Sequence, residues 1–289
     1  MIKSWKTKVG DWIVVLICCV LIFICLVPLL NVLARSLSSS YYLNRNEVLL
    51  WPKGLNFDAY TNVLKDSKYT FSLGYTAVLT LGCTLLSMAM TVLCAFPLIF
   101  DNLRGRKFIN AMIVMTMYFS AGTIPHYLMI KNVGMLDTVW ALVIPNCLSV
   151  FNMIIMRSFF FGIPESLREA AEIDGAGPFR MLIQIYLPLS TSVLATLALF
   201  YAVGRWNGFS DALMYVKNEK LFPIQLLLYN ILQNTTAIEI GTQEGFFDPG
   251  VGETMKMATV MFATVPILVI YPWLQRYFVT GVTIGAVKG

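Results

Sequence analysis

Residues 164–188 read Pro164-Glu-Ser-Leu-Arg-Glu-Ala-Ala-Glu-Ile-Asp-Gly-Ala-Gly-Pro-Phe-Arg-Met-Leu-Ile-Gln-Ile-Tyr-Leu-Pro188, a polar stretch between two long apolar runs. Pro164 suits the start of a helix, where its missing N–H would be unbonded anyway, and Glu165 favours the positive end of the helix dipole. Gly175 can take the left-handed conformation that ends a helix, and Pro178 cannot continue it. The pattern predicts two short helices that form an elbow in water between two membrane spans.

The composition indicates a polytopic membrane protein. Of the 289 residues, 57% are hydrophobic and 13% are charged, and the mean hydropathy is +0.71. An ordinary globular protein carries about 25% charged residues. Since one span needs about 20 residues, roughly six helices fit into this length beside modest loops.

Several classes of function are disfavoured by what the composition lacks. The net charge is only +5 and no basic cluster occurs, so no nucleic-acid partner is predicted. The six cysteines lie in apolar runs without C-x-x-C spacing, which supports neither a disulfide framework nor a metal site. His126 is the single histidine. We predict no catalytic residue and no metal ligand.

Six apolar runs are predicted to span the membrane as helices, which makes the fold class all-α. They cover residues 12–34, 70–99, 108–130, 138–161, 182–205 and 257–279. The first run follows lysines 3, 6 and 8 and is too long for the apolar part of a cleaved signal peptide, so we predict a retained signal-anchor helix. We divide the chain into residues 1–69, the anchor helix with an external loop, and residues 70–289, the membrane core.

The distribution of basic residues predicts the orientation. The short loop 101–107 carries Arg104, Arg106 and Lys107 and gives the clearest positive-inside signal. It predicts that both termini are cytoplasmic, and it places the elbow, between spans 4 and 5, on the same side. The acidic stretch of residues 239–253 is more typical of a solvated loop than of a cation site.

One face of the first elbow helix suits a docking surface. Leu167, Ala170, Ala171 and Asp174 recur at helical spacing. The two alanines would let a partner approach the backbone, and acidic residues around them, Glu169 among them, would suit basic groups on that partner. By residue pattern alone, an amphipathic helix that merely covers the bundle fits equally well.

A family resemblance rests on the same residues. Glu169-Ala-Ala-Glu-Ile-Asp-Gly-Ala176, followed by Ile185-Tyr-Leu-Pro188, resembles the EAA loop of binding-protein-dependent ABC importer permeases, of the MetI-like type. The Asp-Gly-Ala version is similar to the carbohydrate-uptake branch. The segment Ile124-Pro-His-Tyr127 and the C-terminal Gly281-Val-Thr-Ile-Gly-Ala-Val-Lys-Gly289 are similar to permeases for oligosaccharides or polysaccharides. The resemblance makes residues 70–289 the permease core, with its EAA loop at 164–188.

The resemblance implies a set of partners and a mechanism. In that family the EAA helix sits in a cleft of a cytoplasmic ATPase and passes its closure to the spans. By position, the joint would consist of Glu169, Ala170, Ala171, Asp174 and Gly175. It implies a second homologous permease in a heterodimer, two copies of the ATPase, an extracytoplasmic solute-binding protein and a location in the bacterial cytoplasmic membrane. ATP and Mg would be bound by the ATPase; this sequence has no G-x-x-x-x-G-K-[ST] motif, and no cofactor is predicted in the chain.

Polar and aromatic residues near span ends are candidates for the substrate pathway, because polar groups inside a membrane are costly against lipid. The candidates are Tyr118, Tyr127, Asn146, Asn152, Tyr201, Trp206 and Asn207. Trp206-Asn207 at the end of span 5 is the strongest pair. For the aromatic residues, anchoring at the membrane interface is the more common role, and for the amides helix–helix hydrogen bonding is equally open.

Two other functions compete with an ATP-driven importer. A single-chain secondary transporter of a small polar solute would need buried ionisable coupling groups and two related halves. The apolar runs show no acid or base near mid-span and no internal repeat is evident, which disfavours it. An intramembrane enzyme has no Ser/His or metal constellation to support it.

Overall fold

The computed structural model describes residues 5–240 and 249–286, with side chains for residues 10–233, 252–270 and 272. Within these ranges the chain is helical and has no β-strand. The helices are α1 Trp5–Ser36, α2 Ser40–Asn44, α3 Asp58–Lys65, α4 Ser67–Ala95, α5 Arg106–Tyr118, α6 Thr123–Asn132, α7 Trp140–Val143, α8 Val150–Phe161, α9 Glu165–Ile173, α10 Pro178–Met181, α11 Leu187–Leu189, α12 Thr191–Asn207, α13 Ser210–Tyr215, α14 Ile224–Ile240 and α15 Pro249–Ala286. The predicted all-α class is confirmed.

Three helical segments of the described chain are long and apolar enough to cross a membrane. They are Gly10–Ser36, Ser67–Ile99 and Gly252–Ile270, and the number rises to five if each of two bent helix pairs counts as one span. These three match the first, second and last predicted spans. The exact count of six spans stays a prediction.

The predicted third span, residues 108–130, is not one helix. It consists of α5 and α6, which meet at an angle of 114°. Gly122, at the break, has a φ of +88°, a value that an L side chain rarely adopts. Periodic hydrophobicity continues through the break, so the apolar pattern alone predicted a straight helix there.

The predicted fourth span, residues 138–161, is also interrupted. Between the four-residue α7 and the 12-residue α8, residues 144–149 form no helix. Pro145 lies in this interval and cannot donate a backbone hydrogen bond. Ser149 then starts α8, since its side chain accepts from the N–H of Asn152. A 12-residue helix is about 18 Å long, which is shorter than the hydrocarbon layer of about 30 Å.

The predicted fifth span, residues 182–205, bends by 85° between Pro178–Leu189 and α12. Directly before the bend, Leu182–Tyr186 form a π-helix. Pro188 explains the widened turn, because it has no N–H and its ring would clash with the carbonyl of Gln184 in a regular α-helix. The Leu187-Pro188 end of the EAA loop therefore lies directly before the bend, and its proline favours it.

The chain forms two compact units. The first comprises residues 1–70 and 228–266, and the second comprises residues 71–227 and 267–289. In the first unit, Arg35 is ion-paired with Glu253, the described part of the acidic stretch; the side chains of residues 239, 244 and 248 lie outside the described residues. The division at residues 69 and 70 stays a prediction.

The core of the second unit surrounds aromatic rings. Phe96 lies edge-on to Tyr186 at 5.1 Å and to Phe160 at 6.2 Å, and the latter two rings are 5.5 Å apart. All three side chains are buried. This cluster joins the end of α4, the end of α8 and the π-helix, so the segments on both sides of the elbow share one core.

Hydroxyl groups on α4 explain why its sequence is rich in Ser and Thr. The Ser72 hydroxyl donates to the Phe222 carbonyl at 2.6 Å, and the Thr76 hydroxyl accepts from the N–H of Ile224 at 2.8 Å. Both hydroxyl-bearing residues are buried. The Phe222-Pro-Ile224 segment is thereby fixed to α4 at the start of α14.

Candidate functional site

The first helix of the elbow begins and ends at the residues that the sequence predicts. Pro164 directly precedes α9 as its N-cap, and Gly175 follows it with a φ of +76°. The N–H of Gly175 donates to the Glu172 carbonyl at 3.0 Å, and that of Ala176 donates to the Ala171 carbonyl at 2.8 Å. These two bonds form a Schellman motif, which satisfies carbonyls that the helix end would leave unpaired.

The two alanines of the elbow lie on different sides of α9. Ala171 is only 8% exposed and belongs to the same buried cluster as Phe160 and Tyr186, whereas Ala170 is exposed. Successive helical residues are turned by about 100°, so one of the pair faces the core. Sequence reasoning placed both on one free face, and that interpretation was wrong for Ala171. Its small side chain lets α9 lie close to the core.

The outer surface of the elbow is partly apolar. Ile173 is 86% exposed and Phe179 is 71% exposed, and Leu167 is also exposed. Apolar side chains of this size on a polar connecting segment are typical of a protein-binding surface. A helix that merely covered the bundle would turn them inward.

The charges of the elbow divide into two groups. Arg168 is ion-paired with Glu165, and its Nε lies 3.8 Å from Glu172 Oε1. Glu169 and Asp174 are exposed and form no ion pair with any described residue. The two carboxylates of the predicted joint are thus the ones left open to a basic partner.

A cavity of about 1120 Å³ lies in the second unit. Its walls come from α4, the start of α6, the irregular segment before α8, α12 and α13. Three predicted pathway residues line it: Asn146, Asn152 and Tyr201. The helix breaks place these amides and this phenol together, since Asn146 lies within the interruption between α7 and α8 and Asn152 lies in the first turn of α8.

Tyr201 connects three segments at the cavity wall. Its hydroxyl accepts from the N–H of Ser149 at 3.0 Å and shares a hydrogen bond with the Thr91 hydroxyl at 2.7 Å. Ser149 is also the N-cap of α8. The phenol therefore connects α4, α8 and α12 through its hydroxyl group.

A buried ion pair at the cavity was missed by sequence reasoning. Arg205 donates to both carboxylate oxygens of Asp211, with Nη2 3.1 Å from Oδ1, and the two side chains are 7% and 13% exposed. The same guanidinium donates to the carbonyls of Leu142 at 3.3 Å and Gly208 at 3.1 Å. The amide of Asn146 lies 3.4 Å from Asp211 Oδ2.

The signal for this pair was present in the sequence. An arginine ends the fifth apolar run, and an aspartate follows six residues later across a glycine. The predicted span ends at Arg205, and a long cation at the end of a span usually extends to water. The tight turn at Gly208 instead brings the carboxylate back onto the guanidinium.

The remaining pathway candidates do not line the cavity. Trp206 is buried with 8% of its surface exposed, and the Asn207 amide donates to the Val203 carbonyl at 2.9 Å. Tyr118 is 76% exposed. Tyr127 stacks on Tyr215, a lining residue, with ring centroids 6.3 Å apart. Roles in a pathway for these four residues stay predictions.

Asp137 connects two loops beside the cavity. Its carboxylate accepts from the N–H groups of Lys217 and Asn218, both at 2.8 Å, and its own N–H donates to the Tyr215 carbonyl at 2.8 Å. The bonds from Asn218 and Lys217 lower the pKa of this carboxyl group below its ordinary value, because they stabilise the charged form. The hydrogen bond from Asp137 thereby fixes the backbone of Tyr215, a residue of the cavity wall.

The whole chain resembles known transport proteins. It is 38% identical over 268 residues to Protein LplC of Bacillus subtilis (strain 168), covering 92% of this chain and 90% of LplC. It is 35% identical over 285 residues to the polygalacturonan/rhamnogalacturonan transport system permease protein YtcP of the same organism, covering 98% of this chain and all of YtcP.

A solved structure shares the fold. The chain superposes with a TM-score of 0.85 and 28% identity on a chain from the crystal structure of a bacterial ABC transporter involved in the import of the acidic polysaccharide alginate, covering 96% of this chain and 99% of that one.

Residues 79–284 match the family described as "Binding-protein-dependent transport system inner membrane component". The match includes the elbow and every residue that lines the cavity, and it confirms the resemblance drawn from the EAA loop. The family consists of ABC transporter permease subunits, which are not themselves catalytic. The chain belongs to this family of binding-protein-dependent inner membrane permeases.

Proposed function

We propose that this chain is one of two permease subunits in an ATP-driven importer of oligosaccharides or polysaccharide fragments, and that the elbow is its contact with the ATPase. The observation that carries the proposal is the placement of α9. Ala171 attaches the helix to the core, while Ile173, Glu169 and Asp174 remain exposed. Such a helix is fixed on one side and open to a partner on the other.

The connections of α9 provide a route for motion. Residues 162–164 link it to α8, and the Schellman turn links it to α10 and the segment that leads to α12. Asn152 on α8 and Tyr201 on α12 line the cavity. A rigid displacement of α9 by a closing ATPase would therefore move both sides of the cavity wall, as expected for a rigid-body transition.

The assembly that we propose contains a second, homologous permease, two copies of a cytoplasmic ATPase and an extracytoplasmic solute-binding protein. One structural neighbour, at 17% identity and a TM-score of 0.60, is a bacterial alginate ABC transporter in complex with an alginate pentasaccharide-bound periplasmic protein; at that identity the likeness supports the fold alone. ATP and Mg would be bound by the ATPase subunits. Two permeases would enclose one pathway, of which this chain contributes one side.

The orientation that we propose has six spans in the bacterial cytoplasmic membrane, with both termini and the elbow cytoplasmic. It rests on the basic loop 101–107. Alkaline phosphatase, which is active only outside the cytoplasm, is fused after residue 54 or after residue 104. We expect activity from the first fusion and none from the second. Activity after residue 104 would place the elbow outside and overturn the proposed ATPase contact.

The chemistry of the cavity suits a saccharide. Its polar lining includes amides, hydroxyl groups and the ring of Tyr201, and the charge of Arg205 is balanced by Asp211. Amides and hydroxyl groups exchange hydrogen bonds with sugar hydroxyls, and aromatic faces pack against sugar rings. The names of the relatives, which include polygalacturonan/rhamnogalacturonan and arabinooligosaccharide transport, support a chain of several sugar units as the substrate.

The decisive experiment reverses the charge of Glu169 in the assembled complex. Glu169→Lys is expected to reduce substrate-stimulated ATP hydrolysis to the basal level and to weaken retention of the ATPase during purification. Asp58→Lys, which reverses an equally exposed carboxylate on α3, is the matched control and is expected to leave both unchanged. Full stimulation in Glu169→Lys would place the coupling contact elsewhere.

The alternative of a single-chain secondary transporter gains one observation, the buried Arg205–Asp211 pair. Both charges are engaged with each other and with backbone carbonyls, which is the arrangement of a structural pair. Transport by this chain alone in liposomes, without an ATPase, would support that alternative and contradict our proposal.

A further inference from the structure

A second concave site lies at the end of α4, away from the cavity. It is a groove of about 600 Å³ between the end of α4, with the segment after it, and the elbow, mainly its second helix. Its lining includes Leu93, Phe96, Phe100, Arg104, Phe179 and Leu182. The proposed transport pathway does not use this groove. The groove shares the elbow with the proposed ATPase contact, but Glu169, Ile173 and Asp174, which carry that contact, do not line it.

The floor of the groove is rigid and apolar. Phe96 and Leu182 are buried, and the Phe96 ring packs edge-on against Phe100 at 5.0 Å and Tyr186 at 5.1 Å. Close packing against its neighbours fixes the buried Phe96 ring at the floor of the groove. The groove is a preformed surface for an apolar chain.

One wall of the groove lies on a candidate membrane span. Leu93 is 47% exposed and belongs to the candidate membrane span Ser67–Ile99. Phe179, on the opposite wall, is 71% exposed. A side chain within a membrane span is accessible to lipid rather than to a soluble protein, so this wall favours a lipid as the occupant.

One cation of the groove is unpaired among the described residues. Arg104 is exposed and forms no ion pair with them, whereas its neighbour Arg106 is paired with Asp101 and donates to the Ile99 carbonyl at 3.3 Å. The carboxylate in the lining, Glu172, lies 3.8 Å from Arg168 Nε. The balance of charge at the rim therefore favours an anion at Arg104.

We propose that this groove binds one anionic phospholipid, with its phosphate on Arg104 and an acyl chain against Leu93, Phe96 and Phe179. A guanidinium matches phosphate oxygens in bidentate geometry, and basic pockets at the cytoplasmic ends of spans attract anionic head groups. The lipid would fill the space between α4 and the segment after α9, and so would brace the elbow against the membrane. This site is additional to the proposed transport function and rests only on the proposed cytoplasmic position of the loop 101–107.

The test measures lipid binding to the full-length chain in detergent by native mass spectrometry. The probes are dioleoyl phosphatidylglycerol and dioleoyl phosphatidylcholine, titrated separately. We expect the first phosphatidylglycerol to bind about fivefold more tightly than phosphatidylcholine, from the attraction of one arginine near the membrane surface. Arg104→Gln is expected to abolish this preference.

Two further variants make the result specific. Arg180→Gln removes the same charge from a residue next to the groove that does not line it, and it is expected to keep the preference. Leu93→Trp fills the apolar part and is expected to weaken binding of both lipids at the first site.

Three outcomes would overturn the proposal. One is equal binding of the two lipids by the wild type, as expected for a groove that a protein partner covers. Another is an equal loss in Arg104→Gln and Arg180→Gln, which would indicate general surface charge. The third is unchanged binding in Leu93→Trp. Because Arg104 and Leu93 are exposed, thermal unfolding midpoints close to the wild type are expected and are checked in parallel.

Discussion

Arg205 and Asp211 illustrate how much a single pair of residues depends on its surroundings. The guanidinium is held by a carboxylate and two backbone carbonyls, and both side chains are almost fully buried. Removing one partner of a buried pair leaves an uncompensated charge, whereas replacing both by apolar residues is often neutral. The pair therefore fixes the turn at Gly208 and the wall of the cavity.

Asp211→Asn is expected to destabilise the protein by about 3–5 kcal/mol, because Arg205 would remain buried without its counter-ion. The measurement is the free energy of unfolding, or the thermal midpoint, of the purified chain in detergent. Arg205→Met combined with Asp211→Leu is the control and is expected to recover most of the loss. A single variant as stable as the wild type would show that water reaches the pair.

The lowered pKa of Asp137 predicts that the free energy of unfolding depends on pH. Backbone N–H groups lower the pKa of its carboxyl group in the folded state, so the unfolded chain binds this proton more readily. The contribution of Asp137 to stability is then complete above the ordinary aspartate pKa of about 3.9 and is lost as the pH falls through the folded-state pKa.

The measurement compares thermal midpoints of the wild type and Asp137→Asn between neutral pH and pH 3. Asparagine tolerates the φ of +58° found here, so the substitution removes the charge and keeps the backbone. We expect the wild type to be more stable near neutral pH and the difference to shrink in acid. A difference that stays constant with pH would assign the effect to something other than this charge.

The elbow shows how an element combines local and tertiary causes. Pro164, the Schellman turn at Gly175 and Pro178 fix the ends of α9 and α10 from their own sequence. Burial of Ala171 and the position of Arg168 beside Phe100, 5.8 Å from the ring centroid, depend on the core instead. Residues within the elbow determine where its helices begin and end, and packing against the core determines their orientation.

Gly175→Val is expected to disrupt coupling through the backbone alone. A Cβ at residue 175 would meet no other atom within 4 Å, but the φ of +76° is strained for a side chain, at a cost of roughly 1–2 kcal/mol. The assay is substrate-stimulated ATP hydrolysis in the assembled complex, together with hydrogen exchange of α9 amides, and both protection and stimulation should fall.

Gly177→Val is the matched control for this prediction. Gly177 also has open space around it, and its φ of −69° is allowed for every residue. We expect normal stimulation from this variant. If both valine variants behaved alike, the left-handed turn would not be the feature that matters.

At the scale of the whole molecule, the broken helices distinguish this fold from a simple bundle. The bends of 114° and 85° and the irregular segment 144–149 bring asparagines, a tyrosine and an ion pair to one cavity. Non-helical backbone is tolerated at membrane depth only where it is buried in protein or lines a cavity. The breaks are therefore evidence that this cavity belongs to the transport pathway we propose.

At two of the three interruptions the sequence contains a proline, but it does not show that the helix breaks there. Pro145 and Pro188 lie inside predicted spans, and the apolar pattern continues on both sides of each. A membrane helix tolerates proline when its neighbours satisfy the freed carbonyls, so the sequence cannot distinguish a mild kink from a bend of 85°. That choice depends on what packs against the bend.

The sequence by itself determined the helical membrane class, the two-helix elbow with its caps, and the family, because these depend on composition and on contacts within one or two turns. Tertiary structure decided which side of α9 faces the core, which polar residues meet at the cavity, and how Arg205 is neutralised. The decisive contacts there join residues far apart in sequence, such as Thr76 with Ile224 and Arg205 with Leu142, at separations of 148 and 63 positions. A periodic pattern shows that a residue is buried or polar, and only packing selects its partner.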